Sequence, residues 1–213
     1  LLGKTSNGTW IGFSGYRYHW SQDNKIHSDE LNKIITNENF SKFILREIPN
    51  EWSNYDVILG EKMYVNNLKL SKIVKHAKGK FFYNPKFFLK KNQNIKLHFD
   101  VFHGDGYLDK AISLMDKEER KDFEDFVLNE CSFNRENLFF CRSPMIMDNY
   151  FKSVFKWLGK CEEEFGFNLD GYSLKRIYAF LAERYLSFWF QKYTKHLAWP
   201  IFFYDTNVNK VNI

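Results

Sequence analysis

Residues 172–193, YSLKRIYAFLAERYLSFWFQKY, limit how this chain can fold more than any other segment. At about 100° per residue, Leu174, Ile177, Tyr178, Leu181, Tyr185, Phe188 and Trp189 share one face, the periodicity of a core-facing helix. The opposite side carries Arg176, Phe180, Glu183, Ser187 and Phe190, so the back of the helix is partly apolar as well. A helix apolar on both sides has to be covered on both sides, which predicts that it is sandwiched. Glu183 then sits where water is scarce, and an unpaired carboxylate there demands an arginine partner, a raised pKa or a ligand. Two readings stay open: an ion pair of Glu183 with Arg176 or Arg184 that fixes helix packing, or a carboxylate that accepts a sugar hydroxyl or acts as a general base.

The first half of the chain reads as strands and turns. TWIGF (residues 9–13) and YDVILG are short apolar runs bounded by turn formers, as expected of strands buried in an α/β sheet. Between them SDELNKIITNENFSKFILREI has helical spacing, with Ser28 as its expected N-cap. Residues 66–100 show no sustained period and are expected to form a long basic loop with short strands. The second half is mainly helical. YLDKAISLM and KEERKDFEDFVLNEC each place apolar residues three and four apart, and Asp116 followed by Glu119 resembles a capping box. NLFFCRS reads as one more buried strand closed by Pro144. A long helix follows with the stripe Met147, Tyr150, Phe151, Val154, Phe155 and Leu158, ended by Gly166. With no repeat or low-complexity linker, residues 1–213 are expected to form a single domain, strand-rich over 1–100 and helix-rich over 101–196.

Composition narrows the function classes. Aromatics make up 19% of residues, with 23 Phe and 12 Tyr, which supplies core volume and also platforms for sugar faces and nucleobases. The formal charge of +5 is mild, and basic and aromatic residues do not interleave in a nucleic-acid-binding pattern, so no nucleic-acid partner is expected. Cys131, Cys141 and Cys161 are odd in number and lack metal-ligand spacing; all three read as small buried hydrophobes. No apolar run is long enough to span a membrane, which leaves peripheral membrane contact open. The chain starts at Leu1 with no leader-like segment before its first strand, so we expect it to be a piece of a longer protein.

Two short stretches carry chemistry. In FDVFHGDGYLDKA, glycines on both sides of Asp105 permit a tight turn expected to expose His103 and Asp105, a pair able to bind a hydroxyl, take its proton or share a divalent cation. The plain alternative is that Asp105 caps a helix and His103 bonds to backbone. In GYRYHW, Arg17 lies among Tyr16, Tyr18 and Trp20 directly after a strand, as a cation and ring platforms at a pocket mouth would.

Taken together, WIGFSGYRYHW, YDVILGEKMYV, HGDGYLDKAI, NLFFCRSPMIMDNYFKSVFKWLGKCEEE and RIYAFLAERYLSFWF resemble, in order and spacing, a bacterial family of capsular-polysaccharide glycosyltransferases long catalogued as a domain of unknown function. That family has His-Tyr-Arg-Arg-Tyr-Phe after its strand; here Gly15 stands for the histidine, and only Tyr16 and Arg17 carry over. Glu183 and Arg184 match its late Glu-Arg-Leu helix, with Tyr185 in place of leucine. The resemblance implies a GT-A-like α/β fold, a partial mixed sheet with a mainly helical C-terminal half, whose front portion precedes Leu1. It implies transfer of a sugar from a nucleotide-sugar donor, of UDP-galactose or UDP-galactofuranose type, to a growing surface glycan or lipid-linked glycan at the cytoplasmic side of the membrane. On this reading Arg17 neutralises the diphosphate, Asp105 with His103 binds or activates the acceptor, and Glu183, Arg184 and Arg176 line the pocket. Tyr16, Tyr18 and Trp20 act as platforms. No Asp-x-Asp element follows a strand, and a Mg or Mn cation stays an open question. A reading from another class is a non-catalytic glycan- or partner-binding module.

Overall fold

YDVILG forms the strand at the centre of a four-stranded sheet. A computed structural model of the chain describes residues 9–15, 17–66 and 93–205. The strands are β1 (Ile11–Gly12), β2 (Tyr18–Trp20), β3 (Val57–Gly60), β4 (Lys62–Tyr64), β5 (Ser132–Asn134), β6 (Phe139–Cys141), β7 (His196–Trp199) and β8 (Ile201–Phe203). The main sheet runs β1-β6-β3-β7. β3 pairs antiparallel with β6 (Val57↔Cys141) and parallel with β7 (Val57↔His196), which explains why every residue of β3 is buried. The sheet is therefore mixed within a mixed α/β chain.

The chain divides into two compact units built from interleaved segments. Unit 1 comprises Leu1–Lys62, Asn134–Asn149 and Phe190–Ile213, and unit 2 comprises Met63–Phe133 and Tyr150–Trp189. Unit 1 contains the main sheet and an antiparallel ribbon of β2 with β8, in register at Tyr18↔Phe203 and Trp20↔Ile201. Its core is a cluster of Trp20, Trp52, Ile58, Leu138, Trp199 and Ile201. Trp52 meets Trp199 edge to face at 5.5 Å, an arrangement favoured by the ring quadrupoles. Trp199 Nε1 donates to Ser21 O at 2.9 Å, so the buried indole keeps its polar atom satisfied.

Several expectations are corrected in this unit. Residues 9–13 are not a core strand: only Ile11–Gly12 pairs, at the sheet edge, and Phe13 is 39% exposed. Gly12 lies against the Phe140 ring, where a Cβ would come within 2.1 Å of ring carbon, so this position has no room for a side chain. The helix expected from Ser28 is two helices, α1 (Ser28–Ile34) and α2 (Phe40–Phe43). Asn39 separates them, accepting from Thr36 N and donating to Ile34 O at 2.8 Å each, the local side-chain bonding that competes with helix. Ser28 is not the cap. The N-cap is His27 without a side-chain bond, and the Glu61 carboxylate accepts from Ser28 N at 2.7 Å in its place. β7 and β8 were not anticipated in the sequence.

Unit 2 is helical. It contains α3 (Ile95–His103), α4 (Tyr107–Ser113), α5 (Lys117–Asn129), the C-terminal part of α6 (Pro144–Phe165), α7 (Tyr172–Lys175) and most of α8 (Ile177–Tyr193). A two-stranded sheet pairs β4 with β5. The expectation of loop through residue 100 fails at α3, where Asn94 accepts from Leu97 N at 2.8 Å and caps a regular helix; residues 67–92 of that expected loop lie outside the described residues. Asp116 does occupy the N-cap of α5 but makes no capping bond; it binds Lys156 and Lys160 at 2.6 and 2.7 Å instead. Along α6, Tyr150, Val154, Trp157 and Leu158 are buried, whereas Phe155, expected in the same stripe, is 64% exposed. The late segment is sandwiched as anticipated, with Ile177, Leu181 and Tyr185 on one face and Ser187 and Phe190 on the other all fully buried. It breaks once, at Arg176 (φ −110°, ψ 14°) between α7 and α8. Cys141 and Cys161 are buried and Cys131 is half-buried, all three as free thiols.

Candidate functional site

The buried polar centre of unit 2 forms around Arg184, whose side chain on α8 is 1% exposed. In the middle of this buried helix, a guanidinium needs hydrogen-bond partners to offset its desolvation. Glu183 Oε2 accepts from Arg184 Nη1 at 2.5 Å, and the Phe180 carbonyl accepts from the same nitrogen at 3.2 Å. Nη2 lies 3.1 Å from His98 Nδ1 and 3.1 Å from His103 Nε2, both on α3. The flat faces are covered by rings: Arg184 Cζ is 4.1 Å from the Phe133 centroid and 5.4 Å from that of Phe99, within cation–π range.

The electrostatics follow from this geometry. Burial, with the charges of Arg184 and Arg176, drives the His103 pKa down to about 3. Burial first, then Arg184 and His103, holds His98 well below the usual imidazole range. Both rings are neutral, so each accepts from the guanidinium on one nitrogen and carries its proton on the other. Desolvation lowers Arg184 to about 10, partly opposed by the Glu183 charge. The Glu183–Arg184 ion pair read from the sequence is therefore present, while Arg176 is not its partner. His98 was missed because the sequence placed it in a loop.

The HGDG turn has the expected backbone and a different exposure. Gly104 (φ +119°) and Gly106 (φ +78°) both take left-handed conformations, and a Cβ at Gly104 would come within 2.9 Å of Leu174 and Tyr107 side chains. Asp105 is exposed, but His103 ends α3 and is buried, stacked on Phe180 with centroids 3.8 Å apart. The two side chains do not form the exposed pair that the sequence suggested, because the helix turns His103 inward before the glycines begin.

Arg17, Tyr18 and Trp20 belong to unit 1 and Tyr16 lies outside the described residues. Arg17 Nη1 meets Asp205 Oδ2 at 3.5 Å, and its guanidinium carbon stands 5.5 Å from the Phe203 centroid. Tyr18 is half-buried, its phenol pKa raised by burial and then by the Glu136 charge. Trp20 is not an open platform: it is 3% exposed, packed against Trp52 and Phe140, and its Nε1 donates to Phe13 O at 3.1 Å. Among the described residues, no three His, Cys, Asp or Glu side chains are grouped to hold a metal ion, and no helix is long and apolar enough to cross a membrane.

The model of DUF4422, a domain of unknown function, matches residues 4–195 of the chain. The chain belongs to the DUF4422 family. No curated protein matches it. Among solved structures, this DUF4422 chain is similar to the apo form of WbbM, a bifunctional glycosyltransferase, with a TM-score of 0.54 and 16% identity. The match covers 94% of the DUF4422 chain and 34% of WbbM, so the chain spans about a third of that protein. At this identity the likeness is one of fold. Within it the DUF4422 chain carries its buried Arg184 cluster in unit 2 and its Arg17–Asp205 pair in unit 1.

Proposed function

We propose that the chain is a glycosyltransferase with a GT-A-like fold, moving a sugar from a nucleotide-sugar donor, of UDP-galactose or UDP-galactofuranose type, to a growing capsular or other surface polysaccharide. The reaction belongs at the cytoplasmic side of the membrane, on a glycan or lipid-linked glycan acceptor. The observation that carries this reading is the Glu183 carboxylate, whose side chain is 12% exposed and fixed by a fully buried guanidinium at 2.5 Å. A carboxylate held in that way keeps a set orientation, as a general base or a sugar-hydroxyl acceptor requires. In the transfer, the acceptor hydroxyl attacks the anomeric carbon, its proton passes to Glu183, and the bond from that carbon to the diphosphate oxygen breaks with the electron pair leaving on the nucleoside diphosphate. Asp105, exposed at the HGDG turn, is the proposed acceptor contact, and buried His103 acts through its hold on Arg184.

Glu183→Gln in the full-length protein tests this. Transfer of labelled sugar from UDP-galactose or UDP-galactofuranose should fall by about 100-fold or more, the usual contribution of a positioned base, while melting stays cooperative. Wild-type turnover in that variant would end the catalytic reading. The second reading, a glycan-binding module, draws on Phe167 and Tyr172, exposed at 76% and 71%; glycan binding without any nucleotide-sugar turnover would favour it.

A further inference from the structure

Around Phe180, unit 2 holds two buried hydrogen-bond donors without acceptors and one exposed guanidinium. Arg176 is exposed at the break between α7 and α8, its guanidinium carbon 5.1 Å from the Tyr172 centroid and 5.3 Å from that of Phe180. Its Nη1 donates to the Tyr172 hydroxyl. No carboxylate among the described residues pairs with it. The charge of Arg184, by contrast, is matched by Glu183. On the same ring, His103 has Nε2 occupied by Arg184, which leaves its proton on Nδ1, and that buried nitrogen has no partner. Arg184 Nε is a second buried donor without one. Of the nearby acids, Asp100 and Asp109 are both bound by Lys96, at 2.6 Å and 2.9 Å, and Asp100 Oδ1 is a buried acceptor without a partner.

We infer that Arg176, clamped between Tyr172 and Phe180, binds the phosphate oxygens of a diphosphate ester. The two rings fix the plane of the guanidinium and leave its edge N–H groups to the ligand, and a stacked arginine surrenders little rotamer freedom when its fork meets two phosphate oxygens. A cation with no carboxylate partner among the described residues, beside two orphaned donors, favours an anion over a neutral sugar. Arg17 is less suited, because an incoming phosphate there competes with Asp205 at 3.5 Å. The choice of a diphosphate, rather than another anion, rests on the glycosyl-transfer reading. A nucleotide donor and a lipid-linked acceptor both present that chemistry.

The test is calorimetric titration of the intact protein with inorganic pyrophosphate, for wild type, Arg176→Ala, Arg176→Lys and Arg17→Ala, each checked for cooperative melting. Saturable binding is expected in wild type, at least tenfold weaker in Arg176→Ala and intermediate in Arg176→Lys, which keeps the charge without the stack. No binding by wild type, equal affinity in Arg176→Ala, or a larger loss in Arg17→Ala than in Arg176→Ala overturns the assignment. Parallel titrations with UDP and with farnesyl diphosphate identify the source of the diphosphate by which binds more tightly through Arg176. Failure here is distinct from failure of the reading above. Pyrophosphate bound through Arg176 in a protein that transfers no sugar removes glycosyl transfer and leaves this site, whereas sugar transfer with an unchanged KM in Arg176→Ala removes this site and leaves glycosyl transfer.

Discussion

Replacing Arg184 by methionine keeps most of the side-chain volume and strands Glu183 without its cation, a change that costs about 3–5 kcal/mol when a buried pair is broken. Urea unfolding should show that loss, with a smaller one for Arg184→Lys, which keeps a charge but cannot reach Glu183, His98 and His103 together. Equal stability of wild type and Arg184→Met would mean the cluster contributes nothing net. The same cluster sets a pH dependence. In the unfolded chain His98 and His103 titrate near about 6.5. Folded, both are depressed, His103 to about 3. The unfolded state therefore binds more protons below about pH 6.5, and stability falls as pH drops from there toward about 3. His19 and His196, also depressed by burial, act in the same direction. The difference between wild type and His103→Asn isolates the cluster: urea midpoints measured from pH 7.5 to 5 should fall less steeply in the variant, and parallel slopes would refute the assignment.

At the scale of elements, Gly12 is the position where one methyl group matters most. Its Cβ would overlap the Phe140 ring at 2.1 Å, and Phe140 packs on the tryptophan cluster of unit 1. Gly12→Ala should cost about 1–3 kcal/mol, the usual range for overpacking, read as a lower thermal midpoint. An unchanged midpoint would show that the ring moves aside freely. Element boundaries were legible where hydrophobic period and local chemistry agreed. YDVILG had a continuous apolar run and became β3; the late segment had two apolar faces and was sandwiched. They were illegible where polar residues do apolar work. α3 buries Ile95, His98, Phe99 and His103, a helical pattern half composed of histidine, which an apolar count does not register. Neither was the α1–α2 break visible, since it depends on Asn39 folding its amide back on Thr36 and Ile34. Of the candidate site, helical phase marked Glu183 as a carboxylate in need of a partner but left Arg176 and Arg184 both open for that role; the histidines that join Arg184 come from α3, and no local spacing reports a contact between helices so far apart in sequence.

Across the whole molecule, each unit draws on segments distant in the chain, three for unit 1 and two for unit 2. A chain ending after Thr194 keeps every described helix and loses β7 and β8, the partners of β3 and β2. It also loses Trp199 and Ile201 from the tryptophan cluster. Near-UV circular dichroism from Trp10, Trp20 and Trp52 should collapse in that truncation; a retained signal would show that unit 1 closes without its last strands. The register Val57↔His196 has a further consequence during synthesis. At about 5–20 residues per second, β3 leaves the ribosome roughly 7–28 seconds before β7 can reach it. Throughout that interval the apolar VILG strand carries an open edge of unpaired backbone N–H and C=O groups, and the yield of folded protein depends on what shields that edge while translation finishes.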